Sequence, residues 1–160
     1  MMSAAFWSAF HGLLLGILLL VGIVALFVEI SLRGSDPGST RAKSLGWAVA
    51  AAGWISVSVG TFLTYPAYRA APPEGATDLS AFPRSLLLSD PATATWHRLG
   101  MEWKEHVAWL VPILLTAAAY VVTQYGPRLT ADRTMRRIVT GLVAIAGAGV
   151  LVAGILGVLI

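Results

Sequence analysis

His11, His97 and His106 are the side chains best suited to do chemistry in this chain, since a neutral imidazole ligates iron and other transition metals well. Glu102 stands four residues before His106. On a helix that spacing puts its carboxylate on the same face, where it can accept the free ring N–H. A second cluster is Tyr65-Pro66-Ala67-Tyr68-Arg69, which offers two phenol donors and a guanidinium suited to bidentate carboxylate binding. Trp103 and Trp109 bracket His106 with aromatic surface. The cysteine count is zero, which excludes disulfides, thiolate metal sites and c-type haem attachment within the chain.

The elements that must position these residues are four apolar runs, Gly12–Leu32, Leu45–Tyr65, Val107–Gln124 and Ile138–Ile160. About 20 apolar residues in a helix cross a hydrocarbon core of about 30 Å. Only helices or closed barrels satisfy their own backbone there, and these runs lack the alternation of barrel strands. The expected fold is all-α: a single polytopic domain over 1–160, a four-helix transmembrane bundle with spans over about 5–32, 44–65, 103–124 and 137–160. Residues 66–102 form the long connection. The start of the chain has no basic segment before the first run, so that run reads as a retained span and not a signal peptide.

Charge sets the expected orientation. Arg33, Arg41 and Lys43 lie in the first short connection, and Arg128, Arg133, Arg136 and Arg137 in the last. The long connection mixes both signs. Basic residues are thus denser in the short loops, which places them in the cytoplasm. Both termini and the long connection fall on the outer side of an inner (cytoplasmic) membrane. Within that connection, Leu79–Leu88 is apolar enough to lie on the membrane or cover the bundle mouth. Ser89-Asp90-Pro91 reads as a helix start, so the third helix begins well outside the membrane and enters it near Trp103. Trp7, Tyr65, Tyr68, Trp96 and Trp103 make an outer aromatic belt.

On this topology His11 and His106 reach similar depth on two helices that both run from outside to inside. His97, nine residues earlier than His106, is about half a turn out of phase and faces elsewhere on a continuous helix. Two histidines at matched depth in a bundle meet the requirement of a six-coordinate b-type haem. The expected site is therefore one haem b near the outer leaflet, with His11 and His106 as axial ligands. Tyr65, Tyr68 and Arg69 take the propionates, Glu102 and Trp103 surround the site, and Gly12 and Gly16 leave room for the macrocycle. Such a protein passes electrons to or from a quinone or an outer-side redox partner, as a subunit of an oxidoreductase and not a stand-alone enzyme. The general plan resembles four-helix membrane cytochrome b subunits. The competing expectation is a cofactor-free structural or accessory subunit of a larger membrane complex. A further alternative is a metal site built from His11, Glu102, Glu105 and His106.

The rest of the sequence speaks mostly to packing. Ala48, Ala52, Ser56 and Gly60 recur every four residues in the second run, and Gly149, Ala153 and Gly157 in the fourth. Such stripes let backbones approach within the chain or, for the fourth run, across a homodimer. Glu29 is the one carboxylate inside a run, with Arg33 or Lys43 as its expected partner. Pro112 cannot donate to the carbonyl of Ala108, which predicts a kink. No nucleophile elbow, phosphate loop or zinc-protease helix is present. The net charge of +3 is spread over short loops with no basic block, which argues against a nucleic-acid partner.

Overall fold

The computed structural model describes residues 4–32 and 36–159. Helix accounts for 86% of the structure, with no strand among the described residues. Helix α1 runs through three consecutive segments, Ala4–Ala9, a π-helical stretch Phe10–Leu15, and Gly16–Ser31. Helix α2 does the same as Thr40–Val59, a π-helical Gly60–Thr64, and Tyr65–Tyr68. A short α3 (Pro83–Ser89) precedes α4 (Pro91–Ala131), and α5 spans Arg133–Leu159. Four of these helices are long and apolar enough to cross a membrane.

Local chemistry explains the boundaries. Ser39 caps α2, its hydroxyl accepting from the Ala42 amide at 3.1 Å. Asp90 caps α4 by accepting from the Ala92 amide at 2.8 Å, with Pro91 in the first turn as the sequence predicts. Asp132 is the single residue between α4 and α5, and its carboxylate accepts from the amides of Thr134 and Met135 at 2.8 and 3.1 Å. The C-terminus of α1 is closed from outside. The Arg136 guanidinium donates to the Ile30 carbonyl at 2.5 Å and to that of Leu32, satisfying groups the helix itself leaves open.

The four long helices form a square in which α1 and α4 each pack on both α2 and α5. Leu19, Ile23, Leu26 and Ile30 make the inward face of α1, at spacings of three and four. They meet Leu115, Val122 and Leu129 of α4 and Val139 and Val143 of α5 in one core. The outer faces carry Leu18, Val21, Ile55, Ile113, Ile145 and Ile155 into open surroundings. Between α2 and α4, Trp47 Nε1 donates to Thr123 Oγ1 at 3.0 Å and Trp54 Nε1 to Thr116 Oγ1 at 3.1 Å. The two bonds lie two turns apart on antiparallel helices and fix their register.

Several packing expectations change. The close approach of α2 to α4 is made by Gly46 and Gly53, where an added Cβ would lie 3.3 Å from Ala119 and from Leu115 respectively. Ala48 is exposed instead. A strict four-residue repeat drifts about 40° per step around a helix of 3.6 residues per turn, so one stripe cannot hold its face over twelve residues. In α5, Gly149 and Gly157 face Val111 and Lys104 of α4, so that stripe is occupied within the chain. Pro112 is buried and keeps helical geometry. Within α4 only Tyr125 departs from it (φ −124, ψ 17), just before Gly126-Pro127. There Gly126 packs directly on Gly38 of the first short connection. Glu29 pairs with Arg41 at 3.3 Å and not with Lys43, while Arg33 lies outside the described residues.

Candidate ligand pocket at the end carrying both termini

Helix α2 closes with the Tyr65-to-Arg69 segment, whose last turn is held by the Arg69 amide donating to the Tyr65 carbonyl at 3.0 Å. Both phenols and the guanidinium then face the projecting part of α4. The Tyr65 hydroxyl donates to a Glu105 carboxylate oxygen at 2.5 Å. Arg69 Nη1 donates to the same phenol oxygen at 3.4 Å, and its guanidinium carbon sits 5.2 Å from the Tyr65 ring centre. One turn along, the Tyr68 hydroxyl lies 3.0 Å from Nδ1 of His97, with the two rings 5.8 Å apart.

These contacts border an open cavity of about 410 Å³ between the end of α2, α3 and α4. Arg84 and Leu88 reach it from α3. His97, Arg98, Met101, Glu102 and Glu105 reach it from α4, opposite Tyr65, Tyr68 and Arg69. His97, Met101 and Glu105 share a face because they are four residues apart. Short bonds tie α3 to the start of α4: Thr93 Oγ1 donates to the Leu87 carbonyl at 2.6 Å and Ser89 Oγ to that of Leu86 at 2.7 Å.

The electrostatic balance of the cavity is positive. Three arginines line it against two carboxylates. Glu105 is engaged by Tyr65, and Glu102 sits beside His106. Among the described residues neither Arg84 nor Arg98 pairs with a carboxylate. His97 is only 4% exposed and is, with Ser56, one of the two buried polar side chains of the described residues. An imidazole so placed, with one nitrogen on a phenol, has a single nitrogen left for a ligand. Further along the same connection, the Ser80 amide donates to Asp78 at 2.9 Å, and Ser80 holds that exposed carboxyl below the usual carboxylate range.

The residues expected from the sequence to form one site therefore divide. Tyr65, Tyr68, Arg69 and Glu102 come together in this cavity. His11 does not join them. Its ring packs over Gly60, where an added Cβ would lie 2.8 Å from Cε1, and its Nδ1 is buried without a hydrogen-bond partner. His106 is not among the lining residues, with a side chain 75% exposed and Nδ1 2.7 Å from the Glu102 carbonyl. Neither His11 nor His106 therefore lines this cavity. Trp103 is half-buried outside the cavity, and Trp109 packs on Trp54 with ring centres 6.2 Å apart. No group of three or more histidines and carboxylates able to hold a metal occurs among the described residues, so His11, Glu102, Glu105 and His106 do not gather as a metal cluster.

Arg84, Arg98 and Met101 are lining residues that the sequence reading did not single out, and His97 is a candidate that it turned away from the site. The half-turn offset between His97 and His106 is present, but it is His97 that faces the Tyr65–Arg69 segment. The Asp90-Pro91 start sets where α4 begins, but not its rotation against α2, which decides the histidine. Lys104 is also turned inward, its Nζ 3.5 Å from the position of a Cβ on Gly157. Compared with protein-family models, curated proteins and solved structures, the chain matches none.

Proposed function

We propose that this chain is a multi-pass membrane protein, with both termini and the cavity on the outer side, and that it serves as a small electron-transfer subunit holding one b-type haem in that cavity. The apolar belt on four long helices supports membrane insertion. The observation that carries the haem reading is the pairing of buried His97 with Tyr68 inside a cavity lined by three arginines. With its proton on Nδ1, His97 donates to the Tyr68 oxygen and presents Nε2 as a ligand, the orientation that outer hydrogen bonds impose on metal-binding imidazoles. Arg69, Arg84 and Arg98 neutralise two propionates. The bound haem supplies one-electron chemistry, exchanged with a quinone or an outer redox partner. In this reading His97 would take the place of the His11–His106 pair as the imidazole that holds the haem, since it alone of the three histidines lines the cavity.

Absorbance of protein purified after haem-replete expression tests this. A Soret band with high-spin features is expected, lost in His97→Ala and kept in His106→Ala and His11→Ala. A low-spin spectrum abolished by His106→Ala would restore the original ligand pair. A colourless protein would favour the cofactor-free accessory subunit, a reading supported by the outward turn of His106 and the tight seat of His11 on Gly60.

A further inference from the structure

At the opposite end of the bundle, the last turn of α4 and the first turn of α5 enclose a shallow cavity of about 650 Å³ lined by Arg128, Ala131, Asp132, Arg133 and Met135. Accounting for the charged groups there shows what is left over. Asp132 is occupied by the amides of Thr134 and Met135, and Arg136 by the carbonyls that end α1. The only carboxylate of the neighbouring helix α1, Glu29, is taken by Arg41. Arg128 stacks on Tyr125, with its guanidinium carbon 5.6 Å from the ring centre, and keeps its N–H donors. Arg128 and Arg133 both remain exposed, and neither pairs with a carboxylate among the described residues. The apolar exterior begins directly beyond them: Ile138 is 61% exposed on the next turn.

We infer that this cavity is a binding site for a phosphate ester anion, held by Arg128 and Arg133, with Met135 against the apolar part of the ligand. Guanidinium forks match phosphate oxygens, and two of them on one rim give a bidentate cradle that a single surface arginine does not. The position at the edge of the apolar belt suits the head group of an anionic phospholipid. That choice of source rests on the membrane reading above, whereas the phosphate chemistry does not.

The test uses the full chain in a neutral detergent, titrated with a short-chain phosphatidylglycerol, with the matching phosphatidylcholine and with inorganic phosphate, and read by native mass spectrometry. Phosphatidylglycerol is expected to bind at least tenfold more tightly than phosphatidylcholine. Arg128→Gln and Arg133→Gln should each weaken it about tenfold, as expected for loss of one charge-assisted contact. Arg69→Gln, at the other end, should leave it unchanged. Should the variants not fold, the wild type still decides: its phosphatidylglycerol affinity must fall as salt rises from low to physiological concentration. Tight binding of inorganic phosphate alone, sensitive to the same arginines, would keep the anion site and assign it to a free phosphate. Equal binding of both lipids, no loss in either variant, or no salt dependence overturns the inference. If the protein proves extractable from membranes by alkaline carbonate, the membrane reading fails independently of the phosphate result.

Discussion

Gly126→Ala is the sharpest test of how the bundle is closed at its short-connection end. A Cβ at Gly126 would lie 2.3 Å from the Gly38 Cα and 3.1 Å from the Gly38 nitrogen. Carbon atoms pack comfortably at about 3.5–4.0 Å, so the connection must retreat by more than about 1 Å. No rotamer relieves this, because the obstacle is backbone. Retreat would pull Gly38 from its amide contact with Asp36 (2.9 Å) and disturb the adjacent Ser39 cap of α2. Overpacking against movable side chains costs about 1–3 kcal/mol, and a backbone clash next to a cap belongs at or above the top of that range. Gly141 is the control. An added Cβ there meets nothing within 4 Å, and Ala in a helix is favoured over Gly by about 0.5–1 kcal/mol. The two substitutions, chemically identical, should therefore move stability in opposite directions, separated by about 3 kcal/mol or more. Unfolding of the purified protein by titrated denaturing detergent, followed by helical circular dichroism, measures both. Equal tolerance of Gly126→Ala and Gly141→Ala would refute the close passage of the connection over α4.

Removing the register bonds of α2 and α4 by Thr116→Val or Thr123→Val should cost about 0.6–2 kcal/mol each in the same unfolding assay, and crosslinking between α2 and α4 should shift in these variants but not in Thr93→Val, outside that interface. Arg41→Gln should destabilise more than Glu29→Gln/Arg41→Gln together, since the single change leaves a mostly buried carboxylate without its partner; additivity in the double-mutant cycle would show that the pair is not coupled. The Asp78 carboxyl should titrate below the ordinary Asp value of about 3.9, so its contribution to stability is present above that value and is lost as pH falls through the lowered one. Carboxyl NMR on wild type and Ser80→Ala checks this: loss of the hydroxyl contact should move the variant upward only in part, because the Ser80 amide still donates. A topology reporter fused after Ile160 should report the outer compartment and one placed at Ser39 the cytoplasm, with the reverse pattern removing the loop-charge basis of the orientation.

The long helices were legible because twenty-residue apolar runs have few other uses, and the start of α4 because Asp90-Pro91 states its phase locally. The site was legible in part. Tyr65, Tyr68 and Arg69 announce themselves by donor type and do share a cavity with Glu102. Which histidine joins them depends on the rotation of α4 against the end of α2, and no local pattern reports that angle. Depth alone paired His11 with His106, whereas His11 packs over Gly60 and His106 lies beside Glu102. Pro112 sits buried against Gly53 with helical dihedrals, and the residue where α4 does leave helical dihedrals carried no signal that the sequence reading used. That departure is at Tyr125, ahead of the Gly126-Pro127 pair.

The π-helical turn at Gly60–Thr64 has a consequence for how this chain tolerates length changes. A π turn holds one residue more than the α-helix around it, so everything beyond it is rotated by about 100° relative to an unbroken helix. Tyr65, Tyr68 and Arg69 owe their direction to that surplus residue. Deleting any one of residues 60–64 would let the backbone relax to regular α-helix without altering a single cavity side chain. It would nonetheless swing both phenols and the guanidinium about a quarter turn away from α4. The same holds for His11 within the π stretch Phe10–Leu15. For this chain a one-residue deletion in either place acts as a dial on the mouth of the bundle, whereas a substitution that keeps the residue count, away from the tight Gly60–His11 contact, leaves the setting where it is.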